Sequence, residues 1–122
     1  MIQKNLILVV DDDPDSCQIL NDFFQSLNYR VQTAEDGQEG LQKFFDLKPC
    51  LVVLDVRMPI MDGYQMLKRI RELDSATPVI IVSAQSYLDG ADECMKQGAT
   101  DVLHKPIELD QLEKKVTRYL EK

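Results

Sequence analysis

Asp55 closes the apolar run Leu51-Val52-Val53-Leu54, and Val56-Arg57-Met58-Pro59 and Met61-Asp62-Gly63 follow it. A carboxylate at the end of a buried strand is costly to dehydrate unless a cation or a reaction partner meets it. Asp11 and Asp12 stand directly after a second apolar run, Leu6 to Val10, while Ser83 follows a third and Lys105 a fourth. If Asp11, Asp12 and Asp55 converge, three like charges repel in a partly dehydrated pocket, and a divalent cation resolves the conflict. Oxygen ligands without a His/Cys set favour Mg2+ or Mn2+ over zinc. In such a pocket the Asp55 carboxylate is a nucleophile toward phosphorus, giving an acyl phosphate. The cation, the Lys105 ammonium and the Ser83 hydroxyl would stabilise charge on the phosphoryl oxygens during in-line transfer.

Taken singly, these signals are weak. Asp13 precedes Pro14, a pairing that suits a helix N-cap and first helical residue, so Asp13 is expected to point away from the cluster. A serine at a strand end more often closes a turn, and a lone lysine there is usually solvated. The sole histidine, His104, has no triad or metal partners in the sequence and reads as a structural strand residue. The weight lies in the joint order of the residues, which depends on the elements that carry them.

Apolar runs alternate with amphipathic segments along the whole chain. Leu6–Val10 and Leu51–Leu54 are continuous and short, as strands buried on both faces should be. Leu20, Phe23, Phe24 and Leu27 recur at helical spacing and predict a helix ending near Asn28, before a weaker strand over Tyr29–Ala34. Gly40, Leu41, Phe44 and Phe45 mark a second helix stopped by Lys48-Pro49. Met66, Leu67, Ile70 and Leu73 line a third, and Pro78–Val82 is a fourth strand. Ala91, Cys94 and Met95 lie on a helix ended by Gly98. Asp101–His104 is a short fifth strand before a helix lined by Leu109, Leu112, Val116, Tyr119 and Leu120. Strict alternation implies an α/β fold, a five-stranded parallel sheet with helices on both faces. In a parallel sheet all strand ends point one way, so Asp11, Asp12, Asp55, Ser83 and Lys105 share one edge, where ligands of open α/β sheets bind. The pattern alone does not choose the strand order.

With 122 residues the chain has room for one domain. A net charge of −7 from 14 basic and 21 acidic residues disfavours direct, sequence-independent contact with nucleic acid. Cys17, Cys50 and Cys94 are widely spaced among apolar neighbours, and no CxxC or Cys/His metal spacing occurs, so reduced structural thiols are expected. The amino terminus lacks a signal-peptide pattern and no apolar run approaches membrane-spanning length. A soluble, cytoplasmic protein is the expectation.

Four stretches together carry a family resemblance: Ile7-Leu8-Val9-Val10-Asp11-Asp12-Asp13-Pro14, Leu54-Asp55-Val56-Arg57-Met58-Pro59-Ile60-Met61-Asp62-Gly63, Val82-Ser83-Ala84 and Lys105-Pro106. In this order the chain resembles the receiver domain of two-component response regulators over essentially its whole length. The resemblance implies a flavodoxin-like, doubly wound (βα)5 sheet of order 2-1-3-4-5. It implies a single receiver unit over residues 1–122 with no output domain, a stand-alone regulator or phosphorelay intermediate in the manner of chemotaxis regulators. Asp55 would take phosphate from a histidine kinase or phosphotransfer protein. Asp12 would bind Mg2+ directly, Asp11 through water and Arg57 through its backbone carbonyl. Lys105 would contact the phosphate across a cis Lys105–Pro106 bond. Arg57 and Gln85, two residues beyond Asp55 and Ser83, would tune access of the hydrolytic water. Output would run through the face formed by the fourth helix, fifth strand and fifth helix to a downstream protein, with no direct role for nucleic acid or membrane.

One position departs from the family pattern. Receivers often carry Tyr or Phe three residues before the lysine, whose ring reorients when the hydroxyl residue moves to the phosphate, and here that position is Val102. Valine has no ring and few rotamers, so an aromatic switch is not expected at this site. Tyr87 is near in sequence, but nothing recruits it. A Mg2+-dependent phosphohydrolase acting on an external substrate through an aspartyl phosphate is the alternative. Arg57 stands where dehalogenase-type phosphatases carry a second acid, and no cap insertion is evident. A flavodoxin-type flavin site would want a Ser/Thr/Gly-rich loop where three aspartates stand instead.

Overall fold

The computed structural model describes residues 3–58, 60–84 and 91–120. Among them, strands and helices alternate as β1 (Gln3–Val10), α1 (Pro14–Ser26), β2 (Arg30–Ala34), α2 (Gly37–Leu47), β3 (Pro49–Asp55), α3 (Gly63–Leu73), β4 (Val79–Ser83), α4 (Ala91–Gln97), β5 (Asp101–His104) and α5 (Leu109–Leu120). The strands are all parallel in the order β2-β1-β3-β4-β5, which the resemblance implied.

Burial on both faces explains the continuous apolar runs. Leu8, Val10, Val52, Leu54 and Ile81 pack on one face against Phe44 of α2, Met66, Leu67 and Ile70 of α3, and Cys94 of α4. Ile7, Val9, Leu51, Val53, Ile80, Val82 and Leu103 pack on the other against Leu20 and Phe24 of α1 and Leu112 and Val116 of α5. Each fully buried aliphatic side chain contributes about 1.5–3 kcal/mol. That surplus offsets the cost of burying carboxylates at the sheet edge.

Local chemistry sets the helix ends. The Asp13 carboxylate accepts from the Asp15 N–H at 3.0 Å, and Pro14 occupies the first helical position. Asp62 and Gln65 form a reciprocal capping box at the start of α3. α1 stops at Ser26, two residues short of the expected end. Leu27 donates its N–H to the Phe24 carbonyl at 3.1 Å, and Asn28 follows with φ 72°. Asn28 tolerates this left-handed turn, so regular pairing in β2 starts at Arg30 rather than Tyr29.

The sheet ladder continues one residue past three strand ends. Asp11 donates its N–H to Ala34 O at 3.0 Å, Val56 to Val82 O at 3.1 Å, and Lys105 to Ser83 O at 2.7 Å. The backbones that carry the candidate residues are therefore held by the sheet.

Candidate functional site

At the carboxyl edge, one carboxylate oxygen from each of Asp11, Asp12 and Asp55 lies within 4.8 Å of the others. Asp11 and Asp55 are only 4% and 5% exposed, whereas Asp12 faces solvent. The Lys105 ammonium donates to Asp55 Oδ2 at 2.9 Å, and the Arg57 N–H donates to Asp55 Oδ1 at 3.1 Å. With all three carboxylates ionised, this one ammonium balances one charge of three. Asp13 stands apart from the cluster as the cap of α1, as expected.

The electrostatics follow from that imbalance. Burial, reinforced by the nearby Asp55 charge, pushes the Asp11 carboxyl up to about 6, against the stabilising Asp13 N–H at 3.0 Å. For Lys105, burial opposes the charged form, but the Asp55 hydrogen bond and the charges of Asp55, Asp11 and Asp12 outweigh it and raise its pKa. An all-oxygen donor set with surplus negative charge and partial burial fits a hard divalent cation.

Gly63 sets how closely α3 approaches the end of β3. Its N–H donates to Val56 O at 2.8 Å, and a Cβ there would lie 2.3 Å from Asp55 O and 2.8 Å from Val56 Cα. Both obstacles are backbone, so Gly63→Ala must displace the segment that carries Asp55. We expect a loss of about 1–3 kcal/mol in urea unfolding, the usual range for overpacking. A wild-type midpoint and slope for this variant would refute the tight approach.

Ser83 is 1% exposed, and its Oγ lies 3.1 Å from His104 Nδ1. Sequence reasoning missed this contact, because His104 offered no motif. The available signal was parity: the terminal residues of two adjacent parallel strands face each other only when the register is known. Val102 is half-buried against the α2–α3–α4 side of the core, and no aromatic ring stands at that position. The Lys105–Pro106 peptide is cis. Arg57 is exposed just beyond Asp55. Gln85 and Tyr87 lie outside the described residues, as does Pro59.

Residues 7–117 match the response regulator receiver domain. The chain belongs to this family. The receiver is 42% identical over 107 residues to the transcriptional regulatory protein ZraR of Klebsiella oxytoca, covering 88% of this chain and 24% of that protein. It thus spans about a quarter of that relative's length. Among solved structures, the receiver domain of Francisella response regulator 1452 is 32% identical with a TM-score of 0.88, over 96% of this chain and 97% of that one. The receiver domain of the sensor histidine kinase PA1611 of Pseudomonas aeruginosa PAO1, described with a magnesium ion in its active-site cleft, is 26% identical with a TM-score of 0.89, over 97% and 98%. Receiver domains belong to two-component systems, where they generally serve as phosphoacceptors rather than as enzymes on external substrates. Among the described residues, no helix is long and apolar enough to cross a membrane.

Proposed function

We propose that the protein is a phosphorylation switch in which Asp55 takes phosphate from a histidine kinase or histidine phosphotransfer protein. The observation that carries this reading is the state of the Asp55 carboxylate. It is buried at the carboxyl edge, oriented through both oxygens by Lys105 and Arg57, and set beside two further aspartates.

In the transfer, the donor's N–P bond breaks and an O–P bond to an Asp55 carboxylate oxygen forms. The donor imidazole keeps the electron pair of the broken bond. Lys105, now bound to Asp55, is within reach of the incoming phosphoryl oxygens and neutralises charge on them. The side chains of Asp11, Asp12 and Asp55 and the Arg57 carbonyl are the groups that would hold Mg2+, or Mn2+ in its place. The ion, when bound, supplies positive charge to the cluster and to the transferring phosphoryl group. The cation held by the Pseudomonas receiver supports this choice. Hydrolysis of the acyl phosphate by water resets Asp55, and Arg57 and Gln85 are the positions that tune its rate.

The surface beside the acceptor suits a protein donor. Ser16, Ile19 and Leu20 of α1 and Pro106, Ile107 and Leu109 near the start of α5 line a hollow with Lys105. Ile19 is 57% exposed, giving an apolar rim next to a charged cleft. Output to a downstream protein runs through the α4–β5–α5 face.

The test is intact mass spectrometry after incubation with acetyl phosphate and Mg2+, with and without EDTA. A phosphate adduct that maps to the peptide carrying Asp55 and is suppressed by EDTA is the expected result. Turnover of varied phosphomonoesters with no adduct on that peptide would favour the phosphohydrolase reading instead.

A further inference from the structure

Ser83 and His104 are directly opposed in the parallel β4–β5 pair, and the Lys105 N–H to Ser83 O bond at 2.7 Å locks that register. Alternation along each strand sets the facing. Ile81 and Val102 pack toward the α2–α3–α4 side of the sheet, so Ser83 and His104, two residues further on, face the same way. Both side chains are short. The 3.1 Å Oγ–Nδ1 contact is therefore a product of sheet register, not of a long side chain folding back.

A hydroxyl has one proton to donate. At 1% exposure the Ser83 hydroxyl needs an acceptor for it, and among the described residues it meets His104 Nδ1, which is an acceptor in the tautomer that carries its proton on Nε2. The same proton is the one Ser83 must offer to a phosphoryl oxygen on Asp55. It cannot make both bonds at once. His104 is itself exposed, so its ring has solvent to move into once released.

We propose that His104 is a positioning residue that holds the Ser83 hydroxyl in the unphosphorylated protein and is freed when Ser83 turns to the phosphoryl group. The imidazole then takes the part of a reorienting ring on β5, two residues beyond the position where Val102 offers none. Phosphorylation at Asp55 would thereby alter the outer surface of β5. This inference rests on Asp55 being the phosphoacceptor.

The test uses beryllium fluoride with Mg2+ as the phosphoryl stand-in, followed by NMR titration at about pH 8, where an ordinary imidazole is neutral. His104→Val deletes the acceptor and keeps a strand-forming side chain. It should bind the stand-in about 2- to 10-fold more tightly than wild type, the worth of one hydrogen bond no longer lost on switching. His104→Asn places an amide oxygen where Nδ1 stood and should return the affinity toward wild type. In a Ser83→Ala background, His104→Val should change nothing, since the two residues act as one unit. The His104 15N resonances of wild type should shift on addition of the stand-in. An equal gain in the Ser83→Ala background, or none in the single variant, overturns the proposal. No binding of the stand-in by wild type would instead reject the phosphoacceptor reading. The resting bond has its own check, because Ser83→Ala alone should move the His104 Nδ1 resonance.

Discussion

Asp55→Asn should yield no phosphate adduct with acetyl phosphate and Mg2+, while its circular dichroism should remain that of wild type. The nucleophile is a carboxylate oxygen, and a neutral amide oxygen carries too little charge to displace acetate from the phosphorus of acetyl phosphate. Loss of the adduct should be complete within detection rather than graded. The substitution is close to isosteric, so the fold survives, but the local hydrogen bonds do not all survive. Asp55 accepts from Arg57 through Oδ1 and from Lys105 through Oδ2, at 3.1 and 2.9 Å. Asparagine has one acceptor oxygen, so one of these donors must turn to water. Lys105 is the one able to do so, since its side chain is 43% exposed. Its raised pKa should fall in the variant, because the Asp55 hydrogen bond and charge are what overcome its burial. An adduct retained at the wild-type rate, mapped to another residue, would move the acceptor elsewhere and undo the assignment of Asp55.

The residues around Asp55 differ in how much of their arrangement could be read beforehand, and the difference is physical. Leu51–Leu54 announced a strand because burial on both faces demands an unbroken apolar run, and that demand is local. Asp13-Pro14 announced a helix start for the same reason, since a cap is satisfied within three residues. Parallel alternation then placed Asp11, Asp55, Ser83 and Lys105 at one edge without any knowledge of strand order. The order itself depends on which helices cover which face, a property of the whole core, and it was supplied by the resemblance. The end of α1 fell short because one asparagine accepted a left-handed conformation, which periodicity does not register. The Ser83–His104 contact was hidden for a further reason. It joins residues 21 apart through the register of two strands, and register is set by long-range packing rather than by either residue.

Asp11 is where the site and the stability of the fold pull in opposite directions. Its carboxyl is pushed from an ordinary 3.8 to about 6, first by burial and then by the Asp55 charge. A raised carboxyl pKa means that the folded state prefers the protonated form. The stability this gives is complete below about 4 and is lost as pH rises through about 6, so the cation-free protein is penalised at neutral pH and above. The shift corresponds to about 3 kcal/mol as an upper figure. Asp11→Asn removes the charge while leaving an Oδ1 to accept from the Asp13 N–H, and the Cys17 thiol continues to donate to the backbone carbonyl of residue 11. In EDTA at about pH 8 the variant should therefore be more stable by about 1–3 kcal/mol, read as a higher urea midpoint with an unchanged slope. The gain should shrink as pH falls through 6 and disappear near 4. Saturating Mg2+ should also shrink it, because an ion held by the wild-type carboxylates stabilises the folded state by mass action. The same variant should form the Asp55 adduct more slowly, having lost one of the groups that hold the ion. A variant less stable than wild type in EDTA at high pH would show that Asp11 is compensated by contacts other than a bound cation.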